Sequence, residues 1–324
     1  MRVLYWGLPH HSPLIDERLR RIEGVELAAV ADEAAAMREA AGAEVLVITP
    51  NRYTEAVEQA VHASGRLRLV QLLSAGYDPL LGRSFPPGTV VATAGDSLAP
   101  AVAEHAVALT LALSRRLDLA FANQFGERWH RAPFSSLGSL CGKTAAVFGF
   151  GSIGKAIAMR LRAFGTRVVG VSRSGAPDAA ADEMRPFGEI AEVVAQADLI
   201  LVALPASPET EGLFGHELFR ACRKGALLVN IARGRIVDTD ALIDALNEGQ
   251  LGGAALDVTE PEPLPQGHPL WRAPNVIITP HYAGLGAQQE LGDFVAQNLE
   301  RLRAGVPLLA VTRLGGGHIR HSPG

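Results

Sequence analysis

The chain has 324 residues, which suits two domains of average size, and 48% of its residues are hydrophobic, which supplies a sizeable core. Its formal net charge of −4 argues against a nucleic-acid-binding protein, because surfaces that bind nucleic acid are usually strongly basic. It has only two cysteines and no cluster of His, Cys or Asp at metal-ligand spacing, so we expect neither a disulfide framework nor a metal site.

The N-terminal segment has no apolar stretch typical of a signal peptide, and the chain has no run of about 18 apolar residues that would span a membrane. These features predict a cytoplasmic protein that does not bind membranes.

The first third of the chain alternates apolar runs with helical patterns. The apolar runs are residues 2–6, 26–30, 45–48 and 69–72, and helical candidates between them include 13–22 and 53–63. This alternation predicts a parallel sheet covered by helices on both faces.

The alanine-rich segment 100–122 predicts one long helix, on which His105 is expected to pack or to form a hydrogen bond. A second alternating series begins at Thr144 and contains six apolar runs, which describe a complete doubly wound nucleotide-binding domain. The helical candidates of this part are residues 153–164, 189–196, 215–222, 239–248 and 286–304. The predicted fold class is therefore α/β, with two Rossmann-like or flavodoxin-like domains that each contain a parallel sheet.

The stretch VFGFGSIGKA has three glycines in G-x-G-x-x-G spacing, between an apolar strand and a helix. The first, Gly149, permits a tight turn, and the second, Gly151, lets the backbone approach a pyrophosphate. The third, Gly154, lets helix and strand pack closely. The pyrophosphate would lie near Ser152 and Ile153, where the N–H groups and dipole of a helix N-terminus favour an anion.

The end of the following strand carries a cation where an acid is usual. A site selective for NAD normally has Asp or Glu about 20 residues after the glycines, bound to the ribose 2′-hydroxyl. This chain has Ser172, Arg173 and Ser174 there. An arginine can form charge-assisted bonds to a 2′-phosphate, which a carboxylate would repel. The sequence thus favours NADP(H) as cofactor, with NAD(H) possible if Arg173 is only a solvated surface residue.

Three polar residues at the ends of late strands supply the groups needed to reduce a 2-oxo acid. The planar guanidinium of Arg233 can hold the substrate carboxylate. Hydride transfer to the ketone creates an alkoxide, to which His281 can give a proton. Glu262 beside this histidine would fix its tautomer and favour the protonated ring.

These features resemble the D-isomer-specific 2-hydroxyacid dehydrogenases over residues 67–308. The matching stretches are GFGSIG, LPASPET (204–210), NIARGRIVD (230–238), GAALDVTEPEPL (253–264) and ITPHYAG (278–284). The resemblance implies that Arg233 binds substrate, Glu262 orients the histidine and His281 donates the proton. It also implies that Asp257 contacts the nicotinamide carboxamide, and that the backbone amides of Ala75 and Gly76 hold the substrate carboxylate. Further residues that it places along the cofactor are Leu204, Pro205, Ile231, Ala232 and Gly284.

The family's architecture implies a discontinuous substrate-binding domain, residues 1–99 and 285–313, with the dinucleotide-binding domain, 100–284, inserted. Residues 314–324 are glycine-rich and predicted to be disordered. The resemblance also implies a homodimer, in which the loop around Trp129 either reaches the partner's substrate pocket or packs at the interface. The cationic strand end looks like that of NADP-using glyoxylate/hydroxypyruvate reductases. The alternatives are a larger or phosphorylated substrate, and a nucleotide-sensing protein like the corepressors of this fold.

Overall fold

The computed structural model describes residues 1–8, 12–131 and 137–312, so the predicted tail 314–324 lies outside the described residues. The chain forms two compact units, Met1–Leu98 together with the segment from Gly286, and Ala99–Leu285. Across the part of the chain that is described, no helix is both long and apolar enough to cross a membrane.

The first unit is built on a six-stranded sheet. Numbered along the whole chain, its strands are β1 (Arg2–Trp6), β2 (Glu26–Ala29), β3 (Val45–Ile48), β4 (Leu69–Leu72), β5 (Val90–Ala92) and β13 (Val311–Thr312). The strand order is β13-β5-β4-β3-β1-β2, and only the short edge strand β13 is antiparallel to its neighbour among these strands. The five parallel strands have the flavodoxin-like order.

Helices cover both faces of this sheet. They are α1 (Ser12–Arg20), α2 (Glu33–Ala40), α3 (Glu55–Ser64) and α10 (Gln288–Ala304). The alternation of side chains along β1 separates two cores: Val3 packs with residues of α1 and α10, and Leu4 packs with residues of α2 and α3. Asp32 begins α2 by accepting a hydrogen bond from Ala35 N at 2.8 Å, an ordinary N-cap.

The second unit is built on a seven-stranded, wholly parallel sheet. Its strands are β6 (Thr144–Phe148), β7 (Arg167–Ser172), β8 (Glu183–Pro186), β9 (Leu199–Val202), β10 (Ala226–Asn230), β11 (Leu251–Leu256) and β12 (Val276–Ile278). Its helices are α4 (Ala99–Ser114), α5 (Leu117–Phe125), α6 (Ser152–Arg162), α7 (Ile190–Gln196), α8 (His216–Ala221) and α9 (Thr239–Asn247). The order β12-β11-β10-β9-β6-β7-β8 is that of a Rossmann fold, which confirms the predicted α/β class.

The structure differs from the sequence prediction in the helix predicted over 100–122 and in three strands that were not predicted, β5, β8 and β13. The single long helix predicted over 100–122 is two helices, because Arg116 adopts a left-handed conformation with φ 50° between α4 and α5. Its guanidinium holds the Asp118 carboxylate through two hydrogen bonds of 3.0 and 2.9 Å, so the break is locally stabilised. The edge strand β8 was not predicted, because its sequence EMRP has no apolar run and ends in proline.

Candidate active site

The candidate residues of the second unit lie along one edge of its sheet. Because the strands are parallel, their carboxyl ends meet at this edge. Residues 149–154 follow β6, 172–174 end β7, Leu204 and Pro205 follow β9, 231–233 follow β10, Asp257 and Glu262 follow β11, and His281 and Gly284 follow β12. The order in which successive strands are added to the sheet reverses between β6 and β9, and open α/β sheets bind ligands at such a switch point.

The glycine turn between β6 and α6 has the geometry that a dinucleotide requires. Gly149 has φ 92°, and a Cβ added there would lie 2.5 Å from Ala203 O at the end of the neighbouring strand. A Cβ on Gly154 would overlap Gly149 O, so this position needs the close approach that only glycine allows. The space beside Gly151 is open, with nothing within 4 Å of an added Cβ. The N-cap residue of α6 is Gly151, which has no side chain to cap the helix N-terminus, so this turn fits a pyrophosphate.

The end of β7 presents an exposed arginine on a loop ordered by two serines. Ser172 Oγ accepts a hydrogen bond from Gly175 N at 3.1 Å, and Ser174 Oγ accepts one from Ala176 N at 3.3 Å. Arg173 is exposed. The sequence did not single out Glu209, which lies after β9. A hydrogen bond from Ser207 lowers the Glu209 pKa most, and the nearby charge of Arg173 contributes to the same decrease.

The turn that carries Arg233 is ordered by a buried asparagine at the end of β10. Asn230 Nδ2 donates to Arg233 O at 3.0 Å, and Asn230 Oδ1 accepts from Ala232 N at 3.0 Å. Ile231 and Ala232 are buried, whereas Arg233 is half-buried and donates to Ala232 O at 2.7 Å. A Cβ on the next residue, Gly234, would overlap the backbone at Thr259, so the Arg233 turn packs directly on the segment that leads to Glu262.

His281 and Glu262 form the centre of the site. His281 Nδ1 lies 2.6 Å from Glu262 Oε1, and both side chains are partly open to solvent. An ionised carboxylate can only accept a hydrogen bond, so Nδ1 carries a proton and Nε2 is the nitrogen left to exchange a proton with a substrate. His281 has φ 51°, a left-handed conformation that is uncommon for a residue other than glycine.

Asp257 is buried beneath this turn, with only 1% of its side chain exposed. Its Oδ1 accepts hydrogen bonds from Thr279 Oγ1 at 2.7 Å and Tyr282 N at 3.1 Å, and its Oδ2 accepts one from Ala283 N at 3.0 Å. Burial alone would raise the Asp257 pKa, but hydrogen bonds from His105, Thr279 and these two amides outweigh burial and hold the pKa below its ordinary value. The carboxylate therefore orders the turn that carries His281; its contact with a nicotinamide stays a prediction.

The two remaining predicted residues, Ala75 and Gly76, lie in the first unit, on the loop after β4. Ser74 Oγ donates to Gly76 O at 2.6 Å, and Ala94 N donates to Ser74 O at 2.9 Å, so this turn has a defined shape. Ala75 is exposed and Gly76 half-buried.

Three residues that order the site were not assigned to it by the sequence: Asn230, Thr279 and His105. Asn230 and Thr279 share one signal, a polar residue at the end of an apolar strand run, LLVN and VIIT. His105 offers no such signal, because its contact with Thr279 joins residues 174 positions apart.

A glycine turn and a histidine–carboxylate pair at one edge of a Rossmann sheet define the site of a dinucleotide-dependent dehydrogenase. The family described as "D-isomer specific 2-hydroxyacid dehydrogenase, NAD binding domain" matches residues 107–283, and the chain belongs to this family. The family prediction is thus confirmed.

Individual relatives agree with this assignment. A glyoxylate reductase of Thermococcus kodakarensis is 37% identical over 253 residues, which cover 75% of each chain. A D-isomer specific 2-hydroxyacid dehydrogenase family protein from Aeromonas salmonicida has a crystal structure with 30% identity and a TM-score of 0.85, covering 97% of this chain and 99% of that one. The D-isomer specific 2-hydroxyacid dehydrogenase from Xanthobacter autotrophicus, in complex with NADPH and MES, is 25% identical with a TM-score of 0.80 and coverage of 97% and 98%.

Proposed function

We propose that the protein uses NADPH to reduce a short 2-oxo acid to the D-2-hydroxy acid, with glyoxylate and hydroxypyruvate as the leading substrates. The observation that carries the proposal is the 2.6 Å contact between His281 Nδ1 and Glu262 Oε1 at the sheet edge that also holds the glycine turn. The 37% identity to a glyoxylate reductase supports the choice of a short substrate.

Each group of the site has a chemical task in this reaction. When bound, the nicotinamide supplies a hydride to the carbonyl carbon. The Arg233 guanidinium pairs with the substrate carboxylate and so orients the ketone. His281 Nε2 delivers a proton to the carbonyl oxygen as negative charge develops there, and Glu262 stabilises the protonated ring through Nδ1. In the reverse direction the neutral imidazole accepts the hydroxyl proton. Asp257 holds the turn on which the imidazole sits.

The loss of NADPH absorbance with a panel of 2-oxo acids tests this function. We expect turnover with glyoxylate and hydroxypyruvate, and slower turnover with larger or phosphorylated 2-oxo acids. His281→Ala should bind the cofactor with nearly unchanged affinity, while turnover falls by about two to four orders of magnitude, the usual contribution of a positioned acid. Cofactor binding without turnover of any 2-oxo acid would instead favour the nucleotide-sensing alternative.

The preference for NADPH depends on Arg173. Replacing Arg173 by alanine removes a cation from the predicted 2′-phosphate position, and we expect NADPH binding to weaken about tenfold or more, as for a lost charge-assisted hydrogen bond. NADH has no phosphate there and should bind almost as before. Arg167→Ala, at the other end of β7, is the matched control. Titrations with both cofactors decide the point: an equal loss for NADPH and NADH contradicts the proposed role.

A homodimer joined through the second unit is part of the proposal. On α5, Phe121 and Phe125 are one helical turn apart and 55% and 87% exposed, and Trp129, which follows, is 90% exposed. Large exposed apolar side chains grouped in this way are typical of protein–protein contacts, which supports an association of two copies. Cytoplasmic location stays a prediction from the sequence.

A further inference from the structure

A second histidine contacts the acid that orders the catalytic turn. His105 on α4 lies with Nε2 3.0 Å from Thr279 Oγ1 and 3.4 Å from Asp257 Oδ1. Its ring also packs edge-on against Tyr282, with 5.0 Å between ring centroids. The proposed reaction does not use this histidine, and its side chain is only 15% exposed.

The direction of the hydrogen bonds in this cluster follows from the acceptor at its centre. The ionised Asp257 carboxylate can only accept, so the single hydroxyl proton of Thr279 points to Oδ1. The oxygen of Thr279 is then an acceptor toward His105, which requires a proton on His105 Nε2. The Nε2 proton of His105 is therefore shared between Thr279 Oγ1 at 3.0 Å and Asp257 Oδ1 at 3.4 Å, and Thr279 donates to the same Asp257 oxygen.

Asp257 in turn binds three successive backbone amides. His281 N donates to the Asp257 carbonyl at 2.8 Å, and Tyr282 N and Ala283 N donate to its carboxylate. These bonds hold the turn in which His281 has φ 51° and contacts Glu262. Because non-glycine residues rarely adopt this conformation unaided, the turn depends on the carboxylate that His105 and Thr279 hold in place.

We infer that His105 and Thr279 are positioning residues for the catalytic histidine: they anchor the Asp257 carboxylate, and through it the 281–283 turn that aligns His281 with Glu262. Neither residue is placed against the reacting atoms. The kinetic part of this inference rests on the proposed function, since it requires turnover of a 2-oxo acid.

Paired variants separate a loss of positioning from a loss of packing. Thr279→Val and His105→Leu remove the donors with little change in volume, whereas Thr279→Ser and His105→Gln keep a donor. We expect the first two to lower kcat about tenfold to a hundredfold, as for a misplaced catalytic group, with KM changed less than about twofold. The second two should restore most of the activity. Thr110→Val, which removes a buried hydroxyl on α4 that bonds Ala106 O instead, should leave kcat unchanged.

A chemical measurement on the cofactor-free protein tests the same idea without turnover. Diethyl pyrocarbonate acylates only a neutral imidazole, and peptide mapping reports His281 alone. If the turn loosens, the His281 ring leaves its contact with Glu262 and becomes more accessible to the reagent, so His281 should react about threefold faster or more in Thr279→Val, and at the wild-type rate in Thr279→Ser.

A lower melting temperature in Thr279→Val and His105→Leu, with wild-type kcat and wild-type His281 reactivity, would reduce these residues to packing and overturn the inference. Failure of the serine and glutamine variants to restore either quantity would overturn it equally. If the wild-type protein reduces no 2-oxo acid, the proposed function fails, while the modification rates still decide whether Thr279 and His105 position His281.

Discussion

The Glu262 carboxylate lies 2.6 Å from His281 Nδ1, and its negative charge favours the protonated imidazole. Glu262→Gln retains an oxygen that accepts from Nδ1–H but removes the negative charge. Reduction needs the protonated ring, which the variant stabilises less, so we expect kcat to fall about tenfold to a hundredfold at neutral pH.

Measurements of kcat at neutral pH for the wild type, Glu262→Gln and Glu260→Gln check this prediction. Glu260 lies on the same loop, but Glu262 supplies the carboxylate at His281 Nδ1, so the Glu260 variant should keep the wild-type kcat. A Glu262→Gln kcat equal to that of the wild type would show that the carboxylate charge has no part in proton delivery.

For single residues, the sequence predicted the site best where a polar residue follows an apolar strand. Arg233, Glu262 and His281 are polar residues directly after or near the ends of apolar runs, so their common edge followed from the parallel sheet. The contact of His105 with Thr279 could not be predicted, because it depends on how α4 packs across the sheet rather than on any local pattern.

Two glycines of the turn between β6 and α6 have different roles, one in packing and the other in cofactor binding. Gly154 is needed for packing, because an added Cβ would overlap Gly149 O, whereas the space beside Gly151 is open. Gly154→Ala should therefore destabilise the protein by about 1–3 kcal/mol, the usual cost of overpacking. Gly151→Ala should fold with nearly wild-type stability but bind the dinucleotide much more weakly, since its methyl group would occupy the approach to the pyrophosphate.

Thermal unfolding and cofactor titration of both variants give a two-by-two comparison in which each serves as the other's control. Equal losses of stability in Gly151→Ala and Gly154→Ala would mean that both glycines serve only the fold.

Most of the predicted elements agree with the structure to within two residues at each end, because they follow clear apolar periodicity. The strands β5 and β13, of three and two residues, are too short to show such a pattern and were not predicted. The exceptions have local causes. The apolar pattern continues across Arg116, so the sequence does not indicate that this residue adopts the left-handed conformation that separates α4 from α5. Strand β8 is a polar edge strand that forms by pairing with β7, and that pairing leaves no periodic signal in the chain.

For the whole molecule, the two compact units are each stabilised by at least one carboxylate whose pKa is below its ordinary value. In the first unit, burial would raise the Glu58 pKa, but hydrogen bonds from Ser84 and Arg83 outweigh burial and lower it. In the second unit, the same balance holds for Asp257, with His105 and Thr279 as the main donors. Acid should therefore weaken both units rather than one.

The sign of the pH dependence follows from these lowered pKa values. A carboxylate whose pKa is lower in the folded state contributes stability that is fully present above its unfolded pKa, about 3.9 for Asp and about 4.3 for Glu, and that is lost as pH falls through the lower folded pKa. We therefore expect the free energy of unfolding to decrease below about pH 5, with each additional proton taken up on unfolding contributing about 1.4 kcal/mol per pH unit.

The variant Asp257→Asn measures how much the buried Asp257 carboxylate contributes to stability and to its pH dependence. At neutral pH the variant should be less stable by about 1–3 kcal/mol, because an amide cannot accept all the hydrogen bonds that Thr279, Tyr282 and Ala283 donate to the carboxylate. Below about pH 4 its stability should fall less steeply than that of the wild type, since residue 257 no longer titrates. Urea unfolding between about pH 3 and 7 measures both effects, with Glu58→Gln as the equivalent change in the first unit. If the free energy of unfolding falls with decreasing pH equally steeply in the wild type and in Asp257→Asn, Asp257 binds protons equally in the folded and unfolded chains. The hydrogen bonds to Asp257 would then not favour its ionised form.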